Sequence, residues 1–324
     1  MFIQLRDRPR PERGQILVIV ALGLVAIVVM VGLVLDGGAA YAQRRSQQNA
    51  SDMAAMAGAN AYLLTNDVNA ARSAALQVAA ENGWQHGTGD VTVTVTVNPL
   101  PSAGGTVKVD VTASHHNDFG AVIGLNTWDV GTTATALTGF PDTADGAAPF
   151  IFSRDAFEAD GKPKPQYADE NAPYAFGDTN NDAPETPGDF AWTNYGTGNV
   201  STDDVKDIMD GTDVITKTLM FGEYIGQHNQ GNHTALYDSN QSCDHKPTVN
   251  KCYAGQNVVV PIVDHDGKFM GWATFHVTSA QGGSTKKIFG YFLGGFQNQQ
   301  LSIGGGGGSS CQCYVGSYVL KLID

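Results

Sequence analysis

Cysteines, histidines and runs of carboxylates are the side chains of this 324-residue chain whose types could do chemistry. The cysteines are Cys243, Cys252, Cys311 and Cys313, all in the last third and even in number. Their Cys-x8-Cys and Cys-x-Cys spacings differ from the Cys-x2–4-Cys pairs that hold zinc, so they point to disulfides. Four cysteines allow three pairings. A short loop favours Cys243 with Cys252, leaving Cys311 with Cys313; a Cys-x-Cys bridge is strained, so crossed pairing stays open. Disulfides belong to oxidising compartments, so this cysteine usage agrees with a location outside the cytoplasm.

The one string with ion-ligand spacing is Asp178-Thr179-Asn180-Asn181-Asp182. Asp178, Asn180 and Asp182 match the first half of a calcium loop, where alternate oxygens face the ion. Ala183 stands where that loop needs Gly, and Asp189 where it needs Glu. A solvated acidic loop is the favoured reading, with calcium the alternative and no other cofactor expected. The histidines make no His-Glu-x-x-His, and the chain has no Gly-x-Ser-x-Gly. His228 and His233 stand five apart in a polar stretch, His115-His116 follow a strand, and Asp264-His265-Asp266 reads as a hairpin tip. Gly304 to Gly308 lacks the Lys-Ser/Thr and helix start of a phosphate cradle. No catalytic constellation and no small-molecule substrate is identified, so the chain is expected to be non-enzymatic. A net charge of −13 with no Lys/Arg cluster also argues against nucleic acid as a partner.

The element that positions everything else is Ile16 to Leu35, twenty residues without a charge. As a helix rising about 1.5 Å per residue it spans roughly 30 Å, the thickness of a bilayer core. Arg6, Arg8, Arg10 and Arg13 precede it, and only Arg44 and Arg45 follow closely. The positive-inside rule then puts the N-terminus in the cytoplasm and the remainder outside, as a single-pass protein of the cell membrane. Ala40-Tyr41-Ala42 has the form of a signal-cleavage site, but the apolar run exceeds a signal core of about 7–15 residues, so an intact chain is expected.

Beyond the anchor the composition favours continued helix. Ala50, Met53, Ala54, Ala57, Ala61 and Leu64 recur at steps of three and four as a small apolar packing stripe, turned either to the protein's own sheet or to partners. A second helix is expected over Val68–Glu81, then strands over Val91–Val97, Thr106–Thr112 and Val130–Leu137, with a helical turn over Phe119–Leu125. Asp155–Asp189 reads as a long loop and Val200–Met209 as a short helix capped by Ser201 or Thr202. Strands are expected over Pro149–Ser153, Val258–Val263, Phe269–Val277, Ile288–Phe296 and Tyr314–Leu322, with Asp266-Gly267 as a hairpin turn. The fold class is α+β. It divides into a basic tail (1–15), a transmembrane helix (16–35) extended into a long helix, an α+β module (36–138), a linker (139–149) and a mostly β module (150–324).

Arg13-Gly14-Gln15 before the apolar run, Asp36-Gly37 at its exit, and Gln48-Asn49-Ala50-Ser51-Asp52 leading into Ala54-Ala55-Met56-Ala57-Gly58-Ala59 resemble the N-terminal segment of the Tad/Flp pilus-assembly TadE/TadG-like family, over roughly Gln4–Ala61. The resemblance implies a pilin-like α+β module and a bacterial inner-membrane component of a type IVb pilus system, with pilus-assembly proteins as partners. Processed pilin-like members have Glu five residues after the cleaved Gly; here Ile19 follows Gly14 at that distance. The chain therefore looks like the uncleaved TadG-like branch. The Asp-x-Ser-x-Ser metal string of longer members is not reproduced, since Asp238-Ser239-Asn240-Gln241-Ser242 has Asn third. The expected function is assembly or anchoring of the pilus. A surface adhesin or ligand-binding protein anchored by the same helix is the alternative, suggested by the aromatic second half around Trp192, Tyr195, Trp272, Tyr291 and Phe292.

Overall fold

The computed structural model describes residues 15–100, 104–179, 183–184, 186–226, 228, 233–237, 243–244, 246–294, 300–303 and 315–323. The dominant element is α1, Gln15–Thr65, one unbroken helix of 51 residues. No proline interrupts it, and Gly37-Gly38, which could have bent it, stay helical. Asn66, in the left-handed region at φ 50°, ends it. Helix α2, Val68–Glu81, follows, with Asp67 Oδ1 accepting from the Asn69 amide. Then come β1 (Thr92–Leu100), β2 (Gly104–His116) and β3 (Thr127–Gly139), whose Val/Thr alternation buries Val93, Val95, Val107, Val109 and Val111 on one face. A 3-10 turn at Gly120–Ile123 joins β2 to β3.

The chain continues through β4 (Thr143–Asp145), β5 (Phe150–Ser153), β6 (Tyr174–Asp178), β7 (Asp189–Trp192), α3 (Thr202–Met209), β8 (Thr216–Thr218) and α4 (Val249–Cys252). It closes with β9 (Gln256–Val263), β10 (Phe269–Gln281), β11 (Lys287–Phe292), β12 (Leu301–Ser302) and β13 (Val319–Leu322). Strand β4 lies inside the stretch that composition reads as a linker. Strand β6 lies inside the stretch expected to be a long loop, and it is real structure: Tyr174 and Phe176 pair antiparallel with β11.

The contacts divide the protein into two compact units. The first comprises residues 1–54, 76–95 and 109–134; the second comprises 55–75, 96–108 and 135–324. In the second unit, β10, β11, β6, β7, β5 and β9 close into a six-stranded barrel. The Asp264–Gly267 turn joins β9 to β10, with Asp264 Oδ1 accepting from the amides of Asp266 and Lys268. Two parallel pairs, β5 with β9 and β6 with β7, complete the closure. The interior is filled by Phe150, Phe152, Phe176, Phe190, Trp192, Phe275 and Phe292, mostly edge-to-face, so the barrel is a packed core and leaves no lumen between these rings. Strand β13 returns to pair with β3 over residues 136–139, completing a sheet of order β1-β2-β3-β13. The overall class is α+β, mostly β beyond α1 and α2, as the periodicities imply.

Candidate functional site

The first half of α1 is apolar on every face, and nearly all its side chains from Ile16 to Leu35 are exposed in the protein. Each large apolar side chain gains about 1.5–3 kcal/mol on leaving water, so this segment requires an apolar surround. It is one helix long and apolar enough to cross a membrane.

At its exit Asp36 is 4% exposed, although it is the first charge after the apolar run. Its Oδ1 accepts from the amides of Asp118 at 3.1 Å and Phe119 at 3.2 Å. Its Oδ2 accepts from Phe119 at 3.1 Å and Gly120 at 2.6 Å. Desolvation pushes this carboxyl up, but the amides of Gly120, Phe119 and Asp118 together outweigh it and hold it below the ordinary Asp range. One turn earlier, Gly32 touches Phe119: a Cβ there would stand 2.6 Å from Phe119 Cβ. Asp36 and Gly32 thus fasten the β2–β3 connection to the end of the apolar helix.

Further along the helix, polar side chains tie α1 to β3. Gln47 Nε2 donates to the Val130 carbonyl at 3.2 Å and Gln48 Nε2 to the Thr133 carbonyl at 3.0 Å. The Ser51 and Thr132 hydroxyls share a bond of 2.9 Å. These bonds run from one face of the helix to one strand, so they fix the register of helix on strand. In the second unit the same helix presses closer. A Cβ on Gly58 would lie 2.9 Å from Val107 Cγ1 and 3.1 Å from the Ala71 carbonyl and the Ala75 methyl. Tyr62 packs over Gly105 in the same way.

The buried face of α1 is therefore Gln47, Ala50, Ser51, Ala54, Ala55, Gly58, Ala59 and Tyr62. The expected stripe is corrected by roughly a quarter turn. Ala50 and Ala54 lie on the buried face, Ala57 and Ala61 are half-buried at its edge, and Met53 is 54% exposed. The physical reason is that Gln47, Ser51 and Gly58 are interior here, the first two by hydrogen bonding and the third by close approach. A stripe drawn from apolar side chains alone omits them. The surface signal for Asp36 was present, a single carboxylate closing a long apolar run, but its amide partners lie 82 to 84 residues away.

The remaining candidates lie in the second unit. Cys243 and Cys252 are disulfide-bonded, with Cα atoms 5.2 Å apart; Cys311 and Cys313 lie outside the described residues. Of the calcium string, Asn180 and Asp182 lie outside the described residues. Asp178 turns to the barrel end, where its Oδ2 accepts from Trp192 Nε1 at 3.2 Å and the Tyr237 hydroxyl at 2.5 Å. Burial, with Asp178 beside it, raises Tyr237 far above the ordinary phenol range, so it stays a donor. His233 stacks edge-on to Trp192, and its Nδ1 lies 2.7 Å from the Thr202 hydroxyl. Burial lowers its pKa, with Asp178 opposing. His233 Nε2 is buried without a hydrogen-bond partner among the described residues. His228 packs against Tyr224, and His265 Nε2 lies 2.8 Å from Asp155 Oδ2 on the surface. Among the described residues no group of three His, Cys, Asp or Glu side chains is placed to hold a metal ion. The histidines are dispersed, and the polar cluster at the barrel end is the hydrogen-bonded rim of an aromatic core.

The N-terminal part of this α+β protein is thus an exposed apolar helix with a carboxylate clamp at its exit and a small-residue face packed on a sheet. Residues 14–61 match the family model described as Putative Flp pilus-assembly TadE/G-like. The N-terminal segment of the chain is similar to that family over those residues, and the match ends within α1. Neither a curated protein nor a solved structure matches the chain.

Proposed function

We propose that this protein is a non-enzymatic, single-pass membrane component of a Tad/Flp type IVb pilus system, acting in assembly or anchoring of the pilus. The observation that carries the reading is the coincidence of the family match at 14–61 with α1, whose first half requires an apolar surround and whose second half is fixed to a sheet. The role is mechanical. Residues 16–35 hold the chain in the inner membrane, with the arginine-rich tail cytoplasmic and the remainder extracytoplasmic. The Cys243–Cys252 bridge supports that side. The second half of α1 is held on a sheet. Its outward face carries Asn49, Met53 and Asn60, exposed and open to a partner, with Ala57 and Ala61 half-buried at the edge.

Affinity capture of the full chain from detergent-solubilised membranes tests this. Pilus-assembly proteins should co-purify with the natural chain, and markedly less with Met53→Glu, a substitution at an exposed position that leaves the fold intact. Recovery of no pilus component with either chain would refute the reading.

A further inference from the structure

The connection between β2 and β3 carries seven uncharged residues, Phe119-Gly120-Ala121-Val122-Ile123-Gly124-Leu125. In a water-facing turn they would be an anomaly: Val122 is 84% exposed, Ile123 60%, Leu125 49% and Phe119 45%. The turn is nonetheless held in place. Asp36 takes the amides of Asp118, Phe119 and Gly120. Phe119 sits on Gly32, and the turn and Trp128 face Val28, Val29 and Leu33 across an apolar groove.

We infer that this turn is a second membrane contact, an apolar wedge inserted into the acyl chains of the leaflet from which α1 emerges. The inference rests on the anchor reading above and deepens it. Its occupant is lipid because the groove's other wall is the span itself: Val28, Val29 and Leu33 belong to the stretch that must lie in hydrocarbon. With Asp36 at the membrane surface, Gly32 lies about 6 Å below it and Val28 about 12 Å below, at 1.5 Å per helical residue. A turn packed on Gly32 and Val29 therefore reaches roughly 5–10 Å down, the depth to which interfacial apolar segments bury.

Most of the turn's amides have partners, which suits a depth where an unpaired amide is costly. The amides of residues 118, 119 and 120 are taken by Asp36. Val122 donates to the Phe119 carbonyl, Gly124 to Ala121 and Leu125 to Gly120. The stem is closed by Asn117 donating to the Asn126 carbonyl through its backbone and to the Leu125 carbonyl through its side chain. Polar residues stand only at the stem, Asp118 on one side and Asn126, Thr127 and Asp129 on the other. Half-buried Trp128 lies at the groove beside them, where membrane-interface aromatics collect.

The test places a small fluorescent amino acid at Val122, Leu24 or Leu64 of the full chain, reconstituted in phosphatidylcholine vesicles at fewer than one chain per vesicle. The vesicles contain lipids brominated at shallow or deep acyl positions. Leu24 lies mid-span; Leu64 lies 28 residues beyond Asp36 on the same helix. The inference expects a blue shift and strong quenching at Val122 by the shallow bromolipid, quenching at Leu24 by the deep one, and neither at Leu64. Asp36→Ala, which releases the turn, should reduce the quenching at Val122 and leave Leu24 unchanged. Quenching at Leu24 without any at Val122 overturns the wedge while the anchor stands. A blue shift at Val122 without bromolipid quenching also overturns it, showing protein rather than lipid over the turn. Failure of quenching at Leu24 overturns the anchor reading itself.

Discussion

Asp36 shows how one side chain couples two distant parts of the sequence. Asp36→Asn removes the charge and half the acceptor capacity, so the three amides compete for one carbonyl oxygen. The variant should fold, with the β2–β3 turn loosened; faster hydrogen exchange at Phe119 and Gly120 than in the natural chain is the expected readout. His233 gives a pH prediction. Its folded-state pKa is lowered by burial from 6.5. The unfolded chain therefore binds more protons in the window below about 6.5, and stability falls as pH drops from 6.5 towards the folded value. Thermal unfolding of the detergent-solubilised protein should show a midpoint that declines from pH 7 to pH 5, and His233→Gln should flatten that decline. The Cys243–Cys252 bridge closes a short loop and is worth about 2–3 kcal/mol by chain entropy. Alkylation without reductant should leave both thiols unlabelled, and Cys243→Ser should lower the midpoint.

At the scale of elements, local chemistry was readable and long-range closure was not. Helix α2 runs over Val68–Glu81 as expected, because its alanines, Asp67 start and Gly83 stop agree. Helix α3 has Ser201 as N-cap with Asp204 returning the bond, a capping box visible in the residue order. Asp266-Gly267 marks the β9–β10 hairpin. Strand β6 was hidden because only Tyr174 and Phe176 alternate inside a polar stretch, and their value comes from β11, more than a hundred residues later. The same holds for the parallel pairs that close the barrel. The role of Gly58 is set by Val107, Ala71 and Ala75 around it, which no local pattern along the helix shows. Gly58→Leu must push apart a helix, a strand and α1 together. It should cost about 1–3 kcal/mol or more, seen as a lowered urea midpoint, whereas Ala57→Leu at the half-buried edge should change little.

At the scale of the whole molecule, the division of labour follows from where apolar surface is satisfied internally and where it is not. The barrel buries its rings completely, and its polar rim pairs Asp178, Trp192 and Tyr237. The apolar half of α1 and the turn at Phe119–Leu125 remain exposed. The family likeness was legible because it resides in a contiguous stretch of one helix, residues 14–61. The use of the second unit was not, because its surfaces are assembled from strands far apart in the chain. The central claim, a mechanical part in pilus assembly, is tested most directly by counting surface filaments by electron microscopy in a strain lacking this protein. The strain would be complemented with the natural chain, with Met53→Glu, or with alanine at His228, His233 and His265 together. The account predicts filaments restored by the natural and histidine-substituted chains and reduced by Met53→Glu. Normal filaments in the uncomplemented strain, or restoration by Met53→Glu with failure of the histidine variant, would contradict it.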